Sequence, residues 1–190
     1  LTTQLQHQDP SSPMSTDSFS SELAQFAGVE QQVQTNTNLA TLISATQDST
    51  LTSSQSLVGN NVSVSSSQLA LQNGTASVSF DADSTEPVAI AITDSAGNTI
   101  RSAELTPSSG ENTWTWDGKN DAGTQLADGA YTVAVVQATA TGSTTALQTT
   151  TNGTVTGVQK TSSGVNVQLG GVTTSIDNLS SIDASQATTS

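Results

Sequence analysis

The chain has 190 residues, room for one substantial domain or two small ones, and carries three Lys or Arg against 16 Asp or Glu for a formal charge of -13. Nucleic acid and anionic membrane surfaces are excluded as partners, since each needs a basic patch and Arg101, Lys119 and Lys160 lie far apart in sequence. With no cysteine there are no disulfides, thiolate metal sites or thiol nucleophiles. Residues that are 33% hydrophobic and 3% aromatic leave the core to Val, Ile, Leu and Ala, which suits β-sheet.

No stretch approaches the roughly 18 apolar residues of a membrane span, and no basic segment followed by an apolar run marks a secretory signal. The chain opens at Leu1 inside a helical pattern, so upstream sequence is expected. Leu1 and Leu5 lie one turn apart, and Asp9-Pro10 ends that helix because the residue before proline is pushed out of the α region. After Pro13, the side chains of Ser15, Thr16 and Asp17 offer N-cap oxygens. Phe19, Leu23, Phe26, Val29 and Val33, then Leu39, Leu42 and Ile43, follow as one apolar stripe on a long, otherwise polar helix. Such a helix depends on burial of its apolar face. Either the β body of the same chain covers the stripe, or a second copy or another protein does. The polar stretch from Thr46 to Ser56, read as a linker, favours a partner.

Short Val-, Thr- and Ala-rich runs follow. Val58 to Val64, Leu69 to Leu71, Ala76 to Phe80, Pro87 to Thr93, Thr99 to Leu105, Asn112 to Trp116 and Ala130 to Ala138 are predicted strands. Turns at Asn73-Gly74, Ala96-Gly97-Asn98, Ser109-Gly110, Ala122-Gly123 and Asp128-Gly129 separate them, at the spacing of a β-sandwich. Gly153 to Val158, Val165 to Leu169, Val172 and Ile176 give three or four further short strands. With Leu57 to Val64 these can close a small barrel, which makes the sandwich an insertion. The tail from Ser180 to Ser190 is expected to be loose.

Little in the chain promises chemistry. The lone histidine, His7, sits among glutamines with no Cys or second His to complete a zinc site or a triad, and no Gly-x-Ser-x-Gly elbow occurs. Asp117 to Gly123 alternates acidic residues around glycine, but Lys119 and Ala122 break the calcium-loop pattern, so a hairpin loop is expected. Asp81, Asp83 and Glu86 match no motif and read as a solvated loop. Trp114 and Trp116, two apart, share a strand face. They form an exposed glycan platform or fill the sandwich core, and the scarcity of aromatics favours the core for at least one. Leu126-x-Asp128-Gly129-x-Tyr131 has the spacing of a tyrosine corner, a structural device. No catalytic, cofactor-binding or metal residue is predicted.

Two stretches carry a family resemblance. Gln4 to Met14, with Phe19, Leu23-Ala24-Gln25-Phe26 and Val29-Glu30-Gln31, resembles the N-terminal signature of the flagellar hook-capping (FlgD-type) family. Trp116-Asp117-Gly118-Lys119, with Gly123, Leu126, Asp128-Gly129 and Tyr131, is similar to that family's Ig-like or fibronectin III-like module. The resemblance implies N-terminal helical segments over 1–50 and a Tudor-like barrel from 57–72 plus 150–183, with the sandwich at 73–149 inserted in it. It also implies a non-enzymatic scaffold without cofactor, exported through the flagellar type III apparatus. Such a scaffold sits outside the cell at the distal tip of the growing hook as a homo-oligomer, a pentamer by resemblance. There it helps hook subunits fold and insert, and it leaves the finished flagellum. Phe19, Leu23, Phe26, Val29, Val33, Leu39 and Ile43 are then the expected partner or oligomer contacts, and Trp114, Trp116, Gly129 and Tyr131 are structural. Sparse Lys and Arg and a Ser/Thr-rich surface depart from the family pattern. The competing reading is a secreted glycan-binding or adhesin module, which has no need of the N-terminal signature.

Overall fold

The computed structural model describes residues 16–183. The first predicted helix, His7 and residues 184–190 lie outside the described residues. The chain divides after Thr46 into two compact units.

One helix, α1 (Thr16–Ser54), runs across that division without interruption. The predicted linker from Thr46 to Ser56 is therefore corrected: it is helical to Ser54 and continues as a 3-10 turn, Gln55–Leu57. Two local causes are visible. The hydroxyls that made the segment look loose donate back to carbonyls four residues earlier, Thr46 to Leu42, Thr52 to Asp48, Ser53 to Ser49 and Ser54 to Thr50. Leu57 then inserts into an apolar core, and Gly59 N–H and Val155 N–H donate to Val155 O and Asn60 O. An ion pair between Lys160 Nζ and Asp48 Oδ1 at 2.6 Å joins the same helix end to the strands. With Asp48 largely exposed, that pair contributes at most about 1 kcal/mol.

The rest is antiparallel sheet. In chain order the strands are β1 (Asn61–Ser65), β2 (Gln68–Leu71), β3 (Ala76–Ala82), β4 (Val88–Thr93), β5 (Thr99–Leu105), β6 (Gly110–Trp116) and β7 (Gly129–Ala138). They continue as β8 (Thr144–Leu147), β9 (Thr149–Thr154), β10 (Gly157–Thr161), β11 (Gly164–Leu169), β12 (Val172–Ser175) and β13 (Leu179–Asp183). One sheet has the order β13-β1-β9-β3-β6, a second β2-β7-β4-β5 with β8 also on β7, and a third β10-β11-β12. The expectation of a loose tail from Ser180 is corrected for Ser180–Asp183, which pair with β1 in the register Val62 to Ile182 and Ser63 to Ser181.

Two cores form because inward residues alternate along the strands. The first gathers Leu69 and Leu71 of β2, Val78 and Phe80 of β3, Val88, Ile90 and Ile92 of β4, Trp116 of β6, and Val133 and Val135 of β7. The second gathers Leu57 of the 3-10 turn, Val62 and Val64 of β1, Ala70 of β2, Val155 just after β9, Val167 and Leu169 of β11, and Val172 of β12. Strand β2 thus faces one core with its leucines and the other with Ala70. It is held to β9 by side chains: Thr151 Oγ1 donates to Gln68 O at 2.9 Å, Gln72 Nε2 donates to Thr154 O at 2.9 Å, and Thr154 N–H donates to Gln72 Oε1 at 2.8 Å. The Gln72 amide copies a backbone rung. Gly153 admits the second core beneath this seam, since a Cβ there would lie 2.7 Å from Leu169 Cδ2.

Truncating Gln72 to Ala leaves a partly buried N–H and carbonyl of Thr154 without these partners. The expected loss is about 2–3 kcal/mol, read as a lower urea midpoint with an unchanged slope. A second expectation concerns the β4–β5 turn, where Asn98 N–H, the Asn98 amide and Ala96 N–H donate to the Asp94 carboxylate. The Asn98 backbone bond first, then its side chain, holds that carboxyl below its ordinary value. A depressed carboxylate stabilises the turn above the ordinary pKa and loses that contribution as pH falls through the lowered one. Protection of the Ala96 and Asn98 amides, measured by NMR relative to their intrinsic exchange rates, should therefore drop as pH falls through that acid window.

Candidate partner-binding surface

Helix α1 has weak intrinsic reasons to exist. Between Gln31 and Asn38 it is built from Gln, Thr and Asn with one Val, which rank low as helix formers with the exception of Gln. Gly28 lies within it with open space around the missing Cβ, and glycine there costs about 1 kcal/mol against alanine. Asp17 in the first turn meets the positive end of the helix dipole, and Thr35, Thr37 and Thr41 hydroxyls donate to the carbonyls of Gln31, Val33 and Thr37.

Phe19, Leu23, Phe26, Val29, Val33, Leu39, Leu42 and Ile43 are all exposed, Phe26 most of all at 73%. They do not form one stripe. In a continuous helix turning about 100° per residue, Phe19, Leu23, Phe26, Val29 and Val33 fall within an arc of roughly 120°. The six-residue step from Val33 to Leu39 carries Leu39, Leu42 and Ile43 to nearly the opposite side. Two apolar faces follow one another along the helix, with the polar run Gln34–Asn38 between them. Glu22, Gln25, Phe26 and Val29 line a shallow cleft on the first face.

The structural candidates gather in the first β core. Trp116 is 1% exposed, its Nε1–H donates to Lys119 O at 2.9 Å, and its ring meets Tyr131 edge-on with centroids 5.1 Å apart. Trp114 is partly buried against the same core. The Tyr131 hydroxyl donates to Ala127 O at 2.7 Å, while Gly129 opens β7. Gly118 at φ +69° leaves no room for a side chain, since a Cβ would lie 2.8 Å from Gly74 O.

In the Asp117–Gly123 loop the acidic groups serve the backbone. Asp117 accepts from Lys119 N–H, Asn120 Oδ1 accepts from Thr124 N–H, and Asp121 accepts from Ser102 N–H while lying 3.7 Å from Arg101. Among the described residues no group of three or more His, Cys, Asp or Glu is placed to hold a metal ion, and no helix is long and apolar enough to cross a membrane.

Two glutamines carry structure that no sequence pattern marks: half-buried Gln72 in the seam and buried Gln137 of β7, which holds the loop after β3. The Gln137 amide donates to Ser84 O and Glu86 O and accepts from Asp83 N–H. Polar side chains near strands carry no period that flags them as buried.

Comparison with known proteins joins the helix to the strands. Residues 1–41 match the model for the N-terminal region of the flagellar hook capping protein, and residues 66–141 match that for the FlgD Ig-like domain. The chain belongs to the flagellar hook-capping family. The basal-body rod modification protein FlgD of Salmonella typhimurium is 30% identical over 145 residues, covering 71% of this chain and 62% of that protein. Its Escherichia coli K12 counterpart is 28% identical, over 71% and 63%. The chain thus spans less than two thirds of these relatives. A crystal structure of FlgD from Xanthomonas campestris, described as giving insight into hook capping essential for flagellar assembly, superposes with a TM-score of 0.61 at 29% identity, over 70% of this chain and 99% of that one. The Pseudomonas aeruginosa FlgD structure shares the fold, with a TM-score of 0.58 at 22% identity, over 67% and 98%. The mainly β hook-capping fold with an N-terminal helix is thereby established for this chain.

Because the side chains at Leu23 and Phe26 are exposed, Leu23→Asp and Phe26→Asp should shift the unfolding free energy of the β region by no more than about 0.5 kcal/mol. Calorimetry of each variant against the parent checks this.

Proposed function

We propose that this chain is a flagellar hook cap: an exported, non-enzymatic scaffold at the distal tip of the growing hook that promotes folding and insertion of hook subunits and is absent from the finished flagellum. The observation that carries the reading is the pairing, in one chain, of the two family regions with a helix whose apolar side chains are exposed. A scaffold at a growing end needs a surface that recognises incoming chains and no reaction of its own. The free energy of growth comes from subunit burial, which a cap channels by binding some states better than others.

In this reading Phe19, Leu23, Phe26, Val29, Val33, Leu39 and Ile43 contact another chain, a hook subunit or a second cap protomer. Trp114, Trp116, Gly129 and Tyr131 stiffen the body. That body is a Tudor-like barrel, 57–72 with 150–183, carrying the sandwich 73–149 as an insertion. The family resemblance supports a homo-oligomeric, pentameric cap and passage through the type III export apparatus. The second apolar core and the five-stranded sheet that reaches across both cores accord with the inserted arrangement.

A strain deleted for the encoding gene should be non-motile and lack hooks by electron microscopy. Parent sequence supplied in trans should restore both, and Phe26→Asp should not, although the variant is secreted. Normal hooks in the deletion strain would overturn the reading in favour of a secreted adhesin or glycan-binding module.

A further inference from the structure

The first apolar face of α1 is not electrically neutral. Between Thr16 and Gln47 the charged residues are Asp17, Glu22 and Glu30, with no Lys, Arg or His among them. Counted at about 100° per residue from Phe26, Glu22 and Glu30 fall some 40° to either side, inside the arc of Phe19, Leu23, Phe26, Val29 and Val33. Any chain that covers the five apolar groups also takes two carboxylates out of water, and each must find a cation or suffer the cost of an unpaired buried charge.

A second copy of this chain supplies no such cation through its helix. In a parallel pair in register, Glu22 meets Glu22 and Glu30 meets Glu30. In the antiparallel pair that buries Phe19 to Val33 against itself, Glu22 meets Glu30, because the two are equidistant from Phe26. Both alignments set like charges together, which is destabilising. The cations elsewhere in the sequence are three, of which Arg101 and Lys160 lie in ion pairs with Asp121 and Asp48.

We infer that the face Phe19–Val33 docks on a different protein, one presenting an apolar groove rimmed by Lys or Arg that meet Glu22 and Glu30. Resting on the hook-cap reading, this assigns the face to the hook subunit and leaves contacts between cap protomers to other surfaces. Glu22 and Glu30 act as selectors: they disfavour self-pairing of the helix and favour a cationic groove.

The test uses the full chain and polymerised hook subunits from the same bacterium, with binding followed by co-sedimentation at low and high salt and the mass of the chain alone by sedimentation equilibrium. The double variant E22Q/E30Q should bind about tenfold more weakly than the parent at low salt, with the difference shrinking as salt rises, and E22K/E30K more weakly still. Neither variant should change helicity by circular dichroism. Parent binding with no loss in E22Q/E30Q would overturn the inference while leaving the hook-cap reading intact. A parent chain that alone sediments above the mass of one copy, and returns to one copy in Phe26→Asp, would likewise overturn it, with a second copy as the occupant, whereas a rise in mass confined to E22Q/E30Q is expected once the like charges that oppose self-pairing are gone. Loss of β-region stability in E22Q/E30Q would overturn it in favour of cover by the chain's own strands. No binding of the parent to polymerised hook subunits would overturn both the inference and the hook-subunit reading on which it rests.

Discussion

The β region depends on a seam made by side chains. Strand β2 has its backbone partner in β7, yet its other flank must close against β9, and no backbone ladder joins them. Gln72 and Thr151 supply the missing bonds, so the wall between the two cores holds without a continuous sheet. This geometry lets one strand serve two cores, with Leu69 and Leu71 on one side and Ala70 on the other. It also explains why small residues recur there. Gly153 leaves room for Leu169, and a side chain there would push against the second core, which Ala70 also joins.

Much of the fold was legible because strand periodicity is local. The alternation through Val88, Ile90 and Ile92 places a strand without knowledge of its neighbours, and Asn73-Gly74 reads as a turn because both residues tolerate positive φ, here +53° and +74°. What escaped depends on distant or non-periodic partners. Ser180–Asp183 carries a single apolar residue, Ile182, and becomes a strand only because β1, more than a hundred residues earlier, offers it an edge. The stretch before Leu57 looked like a linker because Ser and Thr are poor helix formers in isolation. Their hydroxyls bond back to the helix they belong to, and the Leu57 anchor completes it.

The apolar surface of α1 was legible in its residues, while its shape differs from a single stripe. Each apolar side chain on α1 could be named from sequence, and each is exposed. The error lay in the step from Val33 to Leu39, which is neither three nor four residues, so the second cluster turns away from the first. A net charge describes solubility, whereas the placement of Glu22 and Glu30 within an apolar arc bears on which partner fits.

The order of strands along the chain has a consequence for how the molecule comes together. Strands β2 to β7, which supply the whole of the first core, form one contiguous stretch and can condense as soon as that stretch is available. Strand β1 pairs only with β9 and β13, so the earliest strand to emerge waits for the latest. A polypeptide delivered from its leading end therefore acquires a finished sandwich while the root of its helix is still untethered, and the last strands to arrive lock that root in place.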